Sequence, residues 1–298
     1  MGPSSTYGIT WPVALRLGRV SNLPTVWTNV LAGIVLSGAP LSLGITLVLM
    51  LSLSLFYVAG MYLNDAFDAG FDRVHRPGRP IPAGEIAAST VYGIGLGLLG
   101  AGLCVLLALG YGTPDGTGLR GFAAGIALAV MILVYDIWHK GNPIGPVLMG
   151  LCRVLVYITA AAAVTDVLPR DLAWAAAMAL SYLIGLTYAA KQEDLKQPGH
   201  LWPLVFLAAP LVYGAPIAAD GGMGAVIYFI FLAAVLYALS FMVRPGRANI
   251  PRVVMILIAG ISLLDGLFIA GQGQPVLAGL TIASFALTLV FQRYISGT

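Results

Sequence analysis

The chain has 298 residues, of which 59% are hydrophobic and only 9% are Asp, Glu, Lys or Arg. Soluble domains carry roughly 25% charged residues, so the composition excludes a soluble globular enzyme, a nucleic-acid-binding protein and a disordered chain. The apolar runs are continuous and longer than the roughly ten-residue alternating segments of an outer-membrane barrel. What remains is an all-α, polytopic membrane helical bundle, read as a single domain over 1–298.

A span needs about 20 mostly apolar residues. Ten segments qualify in chain order: 22–38, 41–63, 86–110, 121–138, 144–164, 172–190, 201–219, 223–243, 253–270 and 275–292. Nine is the alternative count, because the first segment contains Pro24 and the last two are less well delimited. Of the 15 basic and 12 acidic residues, only Asp136, Arg153 and Asp265 fall inside these segments. Gly/Pro breaks such as Gly38-Ala-Pro40, Gly141-Asn-Pro143 and Arg244-Pro-Gly246 separate them. In the third segment Gly93, Gly95, Gly97, Gly100 and Gly102 predict close helix packing. Cys104 and Cys152 lie in apolar runs and read as small buried hydrophobes, with no disulfide framework. Residues 1–19 lack the basic-then-apolar layout of a signal peptide, so none is expected.

Orientation follows from basic residues in the short loops. One side holds Arg16, Arg19, Arg73, Arg76, Arg79, Lys140, Lys191, Lys196, Arg244, Arg247, Arg252 and Arg293; the other holds Arg120 and Arg170. The first side is therefore read as cytoplasmic, and the membrane as the cytoplasmic membrane of a bacterium. His75, His139 and His200 fall on the same side. The loops at 64–85 and 191–200 are dense in polar groups, so any chemistry is expected at the cytoplasmic face.

The most informative stretch is Tyr62-Leu-Asn-Asp-Ala-Phe-Asp-Ala-Gly-Phe-Asp72. At about 100° per residue, Asp65, Asp68 and Asp72 share roughly a 60° arc of one helix, with Asn64 about 40° beyond Asp68. Like charges at this spacing repel, and a divalent cation with oxygen ligands relieves the repulsion. Mg²⁺ typically takes one or two carboxylates together with substrate phosphates and water. Two readings compete: a solvated helix end that merely stops a span, and a metal–diphosphate site. Arg73, His75, Arg76 and Arg79 follow directly and suit phosphate.

The motif Asn-Asp-x-x-Asp-x-x-x-Asp followed by Arg73-Val-His-Arg-Pro-Gly-Arg-Pro-Ile-Pro-Ala-Gly84 resembles the first signature of the UbiA superfamily of intramembrane prenyltransferases, of the para-hydroxybenzoate polyprenyltransferase kind. Residues 15–31 resemble the family's approach to its first helix, and Tyr135-Asp-Ile-Trp-His-Lys140 resembles the stretch that closes its fourth. The resemblance runs over about residues 11–293. It implies the UbiA-type fold and transfer of a prenyl group from a polyprenyl diphosphate to a small-molecule acceptor inside the bilayer, with Mg²⁺ as cofactor. By the same resemblance Asn64, Asp65, Asp68 and Asp72 match the first metal motif, with Asp65 and Asp68 the foremost ligands. Lys140 matches the lysine that contacts the diphosphate, and Arg76 and Arg79 are its further partners, against a plain membrane-anchoring role.

Two features depart from the family pattern. The family has a second acidic motif, Asp-x-x-x-Asp, after its sixth span. Here the place reads Tyr188-Ala-Ala-Lys-Gln-Glu-Asp-Leu-Lys196, with Glu193 and Asp194 adjacent and therefore about 100° apart on a helix. Asp194 is expected to be the effective acid, Glu193 a lesser ligand, and Lys191 to turn toward the diphosphate. The family usually has nine spans, and an extra C-terminal helix at 275–292 explains a tenth. Charged residues inside a membrane are functional hypotheses by default. Arg153 is read either as a contact to diphosphate or to an acceptor carboxylate, or as a structural partner of Asp136 or a backbone carbonyl. Asp265 is read as structural, being far from the acidic cluster. The rival function is a non-catalytic UbiA-like transporter or lipid-handling protein, favoured by the altered second motif and opposed by the intact first one.

Overall fold

The structure, a computed structural model, describes residues 9–113, 116–192, 202–242, 249–295 and 297. Among them the chain is helical, with no strand. The elements in order are α1 (Trp11–Leu17), α2 (Leu23–Leu36, led by a 3-10 turn at Val20–Asn22), α3 (Leu43–Phe67) and α4 (Ala69–His75). Then come α5 (Ala88–Gly112), α6 (Arg120–Trp138), α7 (Gly145–Ala162) and α8 (Arg170–Lys191). A 3-10 stretch, Trp202–Leu207, leads into α9 (Ala208–Ala219), followed by α10 (Gly222–Ser240), α11 (Ile250–Gly271) and α12 (Pro275–Phe291).

Every one of the ten expected segments is helical. Eight of the helical stretches are long and apolar enough to cross a bilayer, and two, Val20–Leu36 and Pro275–Phe291, are apolar but shorter. The protein is thus an integral membrane protein. Pro24 does not break the first segment, because α2 begins there: proline in the first turn loses no helical hydrogen bond. At α11 a second proline occupies the first turn, and the Asn249 side chain caps the helix by accepting from the Arg252 amide at 3.1 Å.

Two large apolar cores hold the bundle, and a smaller third packs α1 against the ends of α3, α4 and α5 through Leu17, Tyr62 and Val91. One joins α2, α3, α5, α6 and α7 through residues such as Val30, Leu53, Phe56, Leu106 and Leu128. The other joins α8, α10, α11 and α12 to α2 and α7 through residues such as Tyr182, Phe231, Leu257 and Leu263. The central helix is α11, whose apolar window is 83% buried, whereas no other long span exceeds 56%. Large exposed apolar side chains such as Leu51, Leu96, Val130, Phe229 and Leu236 form the outer belt, as expected of surfaces facing lipid.

The glycine expectation holds in part. A Cβ at Gly95 would meet Leu63 at 2.7 Å, and one at Gly102 would meet Phe56 at 2.8 Å, so both let α5 close on α3. Gly93, Gly97 and Gly100 meet nothing within 4 Å and do no such packing. A further close approach lies outside that segment: a Cβ at Gly33 would meet the Tyr157 carbonyl at 2.8 Å where α2 crosses α7. The cysteine reading also needs correction. Both thiols are free, but Cys104 is exposed and only Cys152 is part-buried. On a lipid-facing helix surface, apolar sequence context does not imply burial in protein.

Candidate active site

The acidic segment is not one uninterrupted helix. Asn64 and Asp65 close α3, Asp68 is the junction residue, and Asp72 lies on α4. The junction keeps helical hydrogen bonds, the Asp68 amide donating to the Asn64 carbonyl and the Asp72 amide to the Asp68 carbonyl, each at 2.9 Å. All four side chains therefore stay on the inward side, and all four residues are buried.

Buried carboxylates demand compensation, and basic residues from three other places supply it. Asp65 accepts from Arg19 and from Arg79, both at 3.0 Å, and Arg79 also reaches Asp72 at 2.9 Å. Asp68 pairs with Lys140 at 3.1 Å and lies 3.6 Å from the His139 ring. The Lys140 ammonium also stands 3.4 Å from the centre of the Phe71 ring. Asn64 donates to Asp136 at 3.2 Å. Burial by itself would raise the Asp68 pKa, but the hydrogen bonds and charges of His139 and Lys140 outweigh it and hold the carboxyl below its ordinary value. The reciprocal interaction holds the His139 pKa above its ordinary value, against the effect of its own burial.

The carboxylates are consequently divided into two groups, Asp65 with Asp72 around Arg79 and Asp68 with Lys140. Among the described residues no three metal-ligating side chains of the His, Cys, Asp or Glu type converge. One oxygen of the buried Asp72 has no hydrogen-bond partner.

Arg19 was part of the segment read for its resemblance, yet its role was not. It is the one non-glycine among the described residues with a left-handed backbone, φ 42°. That conformation turns the chain between α1 and α2 and brings the guanidinium to Asp65.

Asp68 and the basic groups around the cluster line the mouth of a cavity of about 530 Å³ between the two larger cores, walled by α3, α7, α8 and α11, and Asp65 and Asp72 stand behind Arg79. Arg76, Arg79, Lys140 and Lys191 line it, as do Asn64 and Asp68, so the structure gathers most of the expected site residues in one place. Lys191 donates to the Asn142 carbonyl at 2.9 Å. A second, apolar chamber of about 90 Å³ adjoins it, lined by Val26, Leu53, Phe56, Leu128 and Ile132. Tyr57, Met61, Tyr135, Met149, Arg153 and Leu183 belong to both.

Arg153 does not pair with Asp136. It donates to the Asn29 side chain, and Asp136 instead accepts from Asn64. At the rim, Asn22 accepts from Gln292 at 2.9 Å and donates to the Gly297 carbonyl at 3.0 Å, tying the C-terminal segment to the start of α2. Arg19, Asn22 and His139 are thus cavity residues without an assigned role in the sequence reading. They stand inside the stretches 15–31 and 135–140 that carry the resemblance, which was the signal for them. Glu193 and Asp194, with the rest of 193–201, lie outside the described residues.

The chain matches the family model "UbiA prenyltransferase family" over residues 25–255. It belongs to the UbiA prenyltransferase family. This member is accordingly a prenyltransferase. It is 26% identical over 270 residues to a digeranylgeranylglyceryl phosphate synthase of Methanopyrus kandleri, covering 88% of this chain and 92% of that protein. The UbiA fold is shared with a solved UbiA homologue from Aeropyrum pernix K1 (TM-score 0.61, 15% identity, 89% of this chain and 96% of that one). It is shared as well with a UbiA homologue from Archaeoglobus fulgidus solved with GPP and Mg²⁺ (TM-score 0.53, 17% identity, 93% and 99%). These relatives are archaeal, so they lend no support to a bacterial membrane.

Proposed function

We propose that the whole chain is one catalytic domain that transfers a prenyl group from a polyprenyl diphosphate to a small-molecule acceptor within the membrane, with Mg²⁺ bound at the acidic segment. The observation that carries this reading is the junction of a polar mouth, lined by Asn64 and Asp68 with Arg79, Lys140 and Lys191 and backed by Asp65 and Asp72 behind Arg79, with an apolar chamber. A diphosphate suits the first and an isoprenoid tail the second. The similarity to a homologue solved with GPP and Mg²⁺ supports the same assignment.

The donor set fits the ion. Carboxylate and amide oxygens are the hard ligands Mg²⁺ prefers, and the unpartnered Asp72 oxygen is a buried acceptor in need of a cation. Asp65, Asp68 and Asp72 would hold it, with Asn64 beside them and Asp194 and Glu193 as further ligands from the undescribed segment. When bound, the ion supplies positive charge that stabilises the departing diphosphate.

The chain's own groups do the rest. Arg76, Arg79, Lys140 and Lys191 bind the diphosphate and balance its charge. Tyr57 and Tyr135 present ring surfaces at the border of the two chambers, where an allylic cation would develop, and aromatic faces attract cations. The apolar lining keeps water from that cation. The transporter alternative gives no reason for buried carboxylates gathered at a basic mouth.

The deciding experiment is incubation of the purified protein with geranylgeranyl diphosphate, Mg²⁺ and, in turn, a phenolic acid and a prenyl glyceryl phosphate as acceptors. Pyrophosphate release that needs Mg²⁺ and the Asp65/Asp68 pair is expected; tight binding with no release would favour the transporter. We place the mouth at the cytoplasmic face, on the distribution of basic loop residues. A reporter fused after Gly84 should read cytoplasm and one after Gly112 the opposite side, and the reverse pattern would overturn the orientation.

A further inference from the structure

Asp265 lies in α11, fully buried, and ties three helices together. Its carboxylate accepts from Thr28 at 2.6 Å, from the Asn29 amide at 2.7 and 2.9 Å, and from the Tyr157 hydroxyl. Asn29 is itself fully buried, and its oxygen accepts from Arg153. The orientation of this amide is forced, because a carboxylate only accepts and a guanidinium only donates. Asparagine can donate to one and accept from the other. The result is a chain, Asp265 to Asn29 to Arg153, that runs from the core of the bundle to the boundary of the two chambers.

Helix gluing would account for Asp265, Thr28 and Tyr157. It does not account for the last link. Arg19, Arg79 and Lys140 are each neutralised by a carboxylate, whereas among the described residues Arg153 pairs with none. Asn29 stands between it and Asp265, so the guanidinium is held in place while its charge is left for a ligand. Position separates it from the diphosphate machinery as well. Arg153 is eight residues into α7, roughly 12 Å beyond the level of Gly145, whereas Arg76, Arg79 and Lys140 come from loops at the mouth.

We infer that Arg153 receives the anionic headgroup of the acceptor, a phosphate monoester or a carboxylate, and that Asp265 is the residue that positions it through Asn29. The inference rests on the transferase reading only in calling the ligand an acceptor.

The test has two arms. In the first, without donor or metal, thermal unfolding is followed with a monoprenyl glyceryl phosphate, its dephosphorylated alcohol, or 4-hydroxybenzoate. One of the two anions should raise the Tm of the wild-type protein and thereby name the headgroup; the neutral alcohol should not. The shift should vanish in Arg153→Gln and need about tenfold more ligand in Asn29→Leu and Asp265→Asn. Thr28→Val removes a bond to Asp265 without touching Asn29. It should lower the Tm yet keep the ligand-induced shift, which separates positioning from mere stability. In the second arm, with donor and Mg²⁺, Asn29→Leu should raise the acceptor KM about tenfold and leave the donor KM within about twofold. The inference is overturned if neither anion shifts the Tm, if Arg153→Gln retains the shift, if Thr28→Val loses it as Asn29→Leu does, or if the donor KM rises instead. Failure of the transferase reading shows separately, as absence of pyrophosphate in the second arm alone.

Discussion

Replacing Asp68 by Asn should lower turnover on the order of 10²-fold or more, since metal stabilisation of a leaving group is worth several kcal/mol and each 1.4 kcal/mol is about tenfold. Asn keeps the size and one oxygen toward Lys140 but loses the charge. The pair with Lys140 is part-exposed, with 35% of the lysine side chain accessible, so its loss should cost little stability and the Tm should stay near that of the wild type. Asp65→Asn should behave alike in turnover. Pyrophosphate release at saturating donor, acceptor and Mg²⁺ measures the effect. Near-normal rates in both variants would show that neither carboxylate takes part in holding the ion.

Arg79→Ala should have a second large effect, first on stability. Asp72 is 1% exposed and its only described ion-pair partner is Arg79, whereas Asp65 keeps Arg19. Stripping one partner from a buried pair leaves an uncompensated charge and costs about 3–5 kcal/mol. The variant should unfold at clearly lower temperature without Mg²⁺, and Mg²⁺ should raise its Tm more than that of the wild type by replacing the lost positive charge. Arg79→Ala combined with Asp72→Asn should recover the stability but not the affinity for donor diphosphate, which would separate the structural from the binding role of the arginine. A single variant as stable as wild type, or a double variant no more stable than the single, would refute this account of Arg79.

The membrane class, the helical character of the apolar segments and the clustering of the acidic segment were legible in the sequence, because each is local. Apolar run length reports a span without reference to its neighbours. The spacing of Asp65, Asp68 and Asp72 reports a shared helix face. The basic residues that follow report the class of ligand. Even the division between α3 and α4 left those three residues on one side, since the junction kept its helical hydrogen bonds.

What the sequence left open depends on which helices become neighbours. Nothing near Asp265 suggests a link to Arg153, because the connection is made by Asn29 on α2, where α2, α7 and α11 meet. Arg19 reaches Asp65 through a left-handed backbone that local propensity disfavours for arginine. The same dependence explains the misread cysteine and glycines: in an apolar helix a residue facing lipid and one facing protein look alike in sequence. Composition determined that this chain lives in a bilayer and where along it charge is gathered. Only the packing of helices decided which of those charges neutralise one another and which, like that of Arg153, is left facing the cavity, because electrostatic pairing is set by distances of a few ångströms between residues on different elements, such as Arg19 with Asp65 and Lys140 with Asp68.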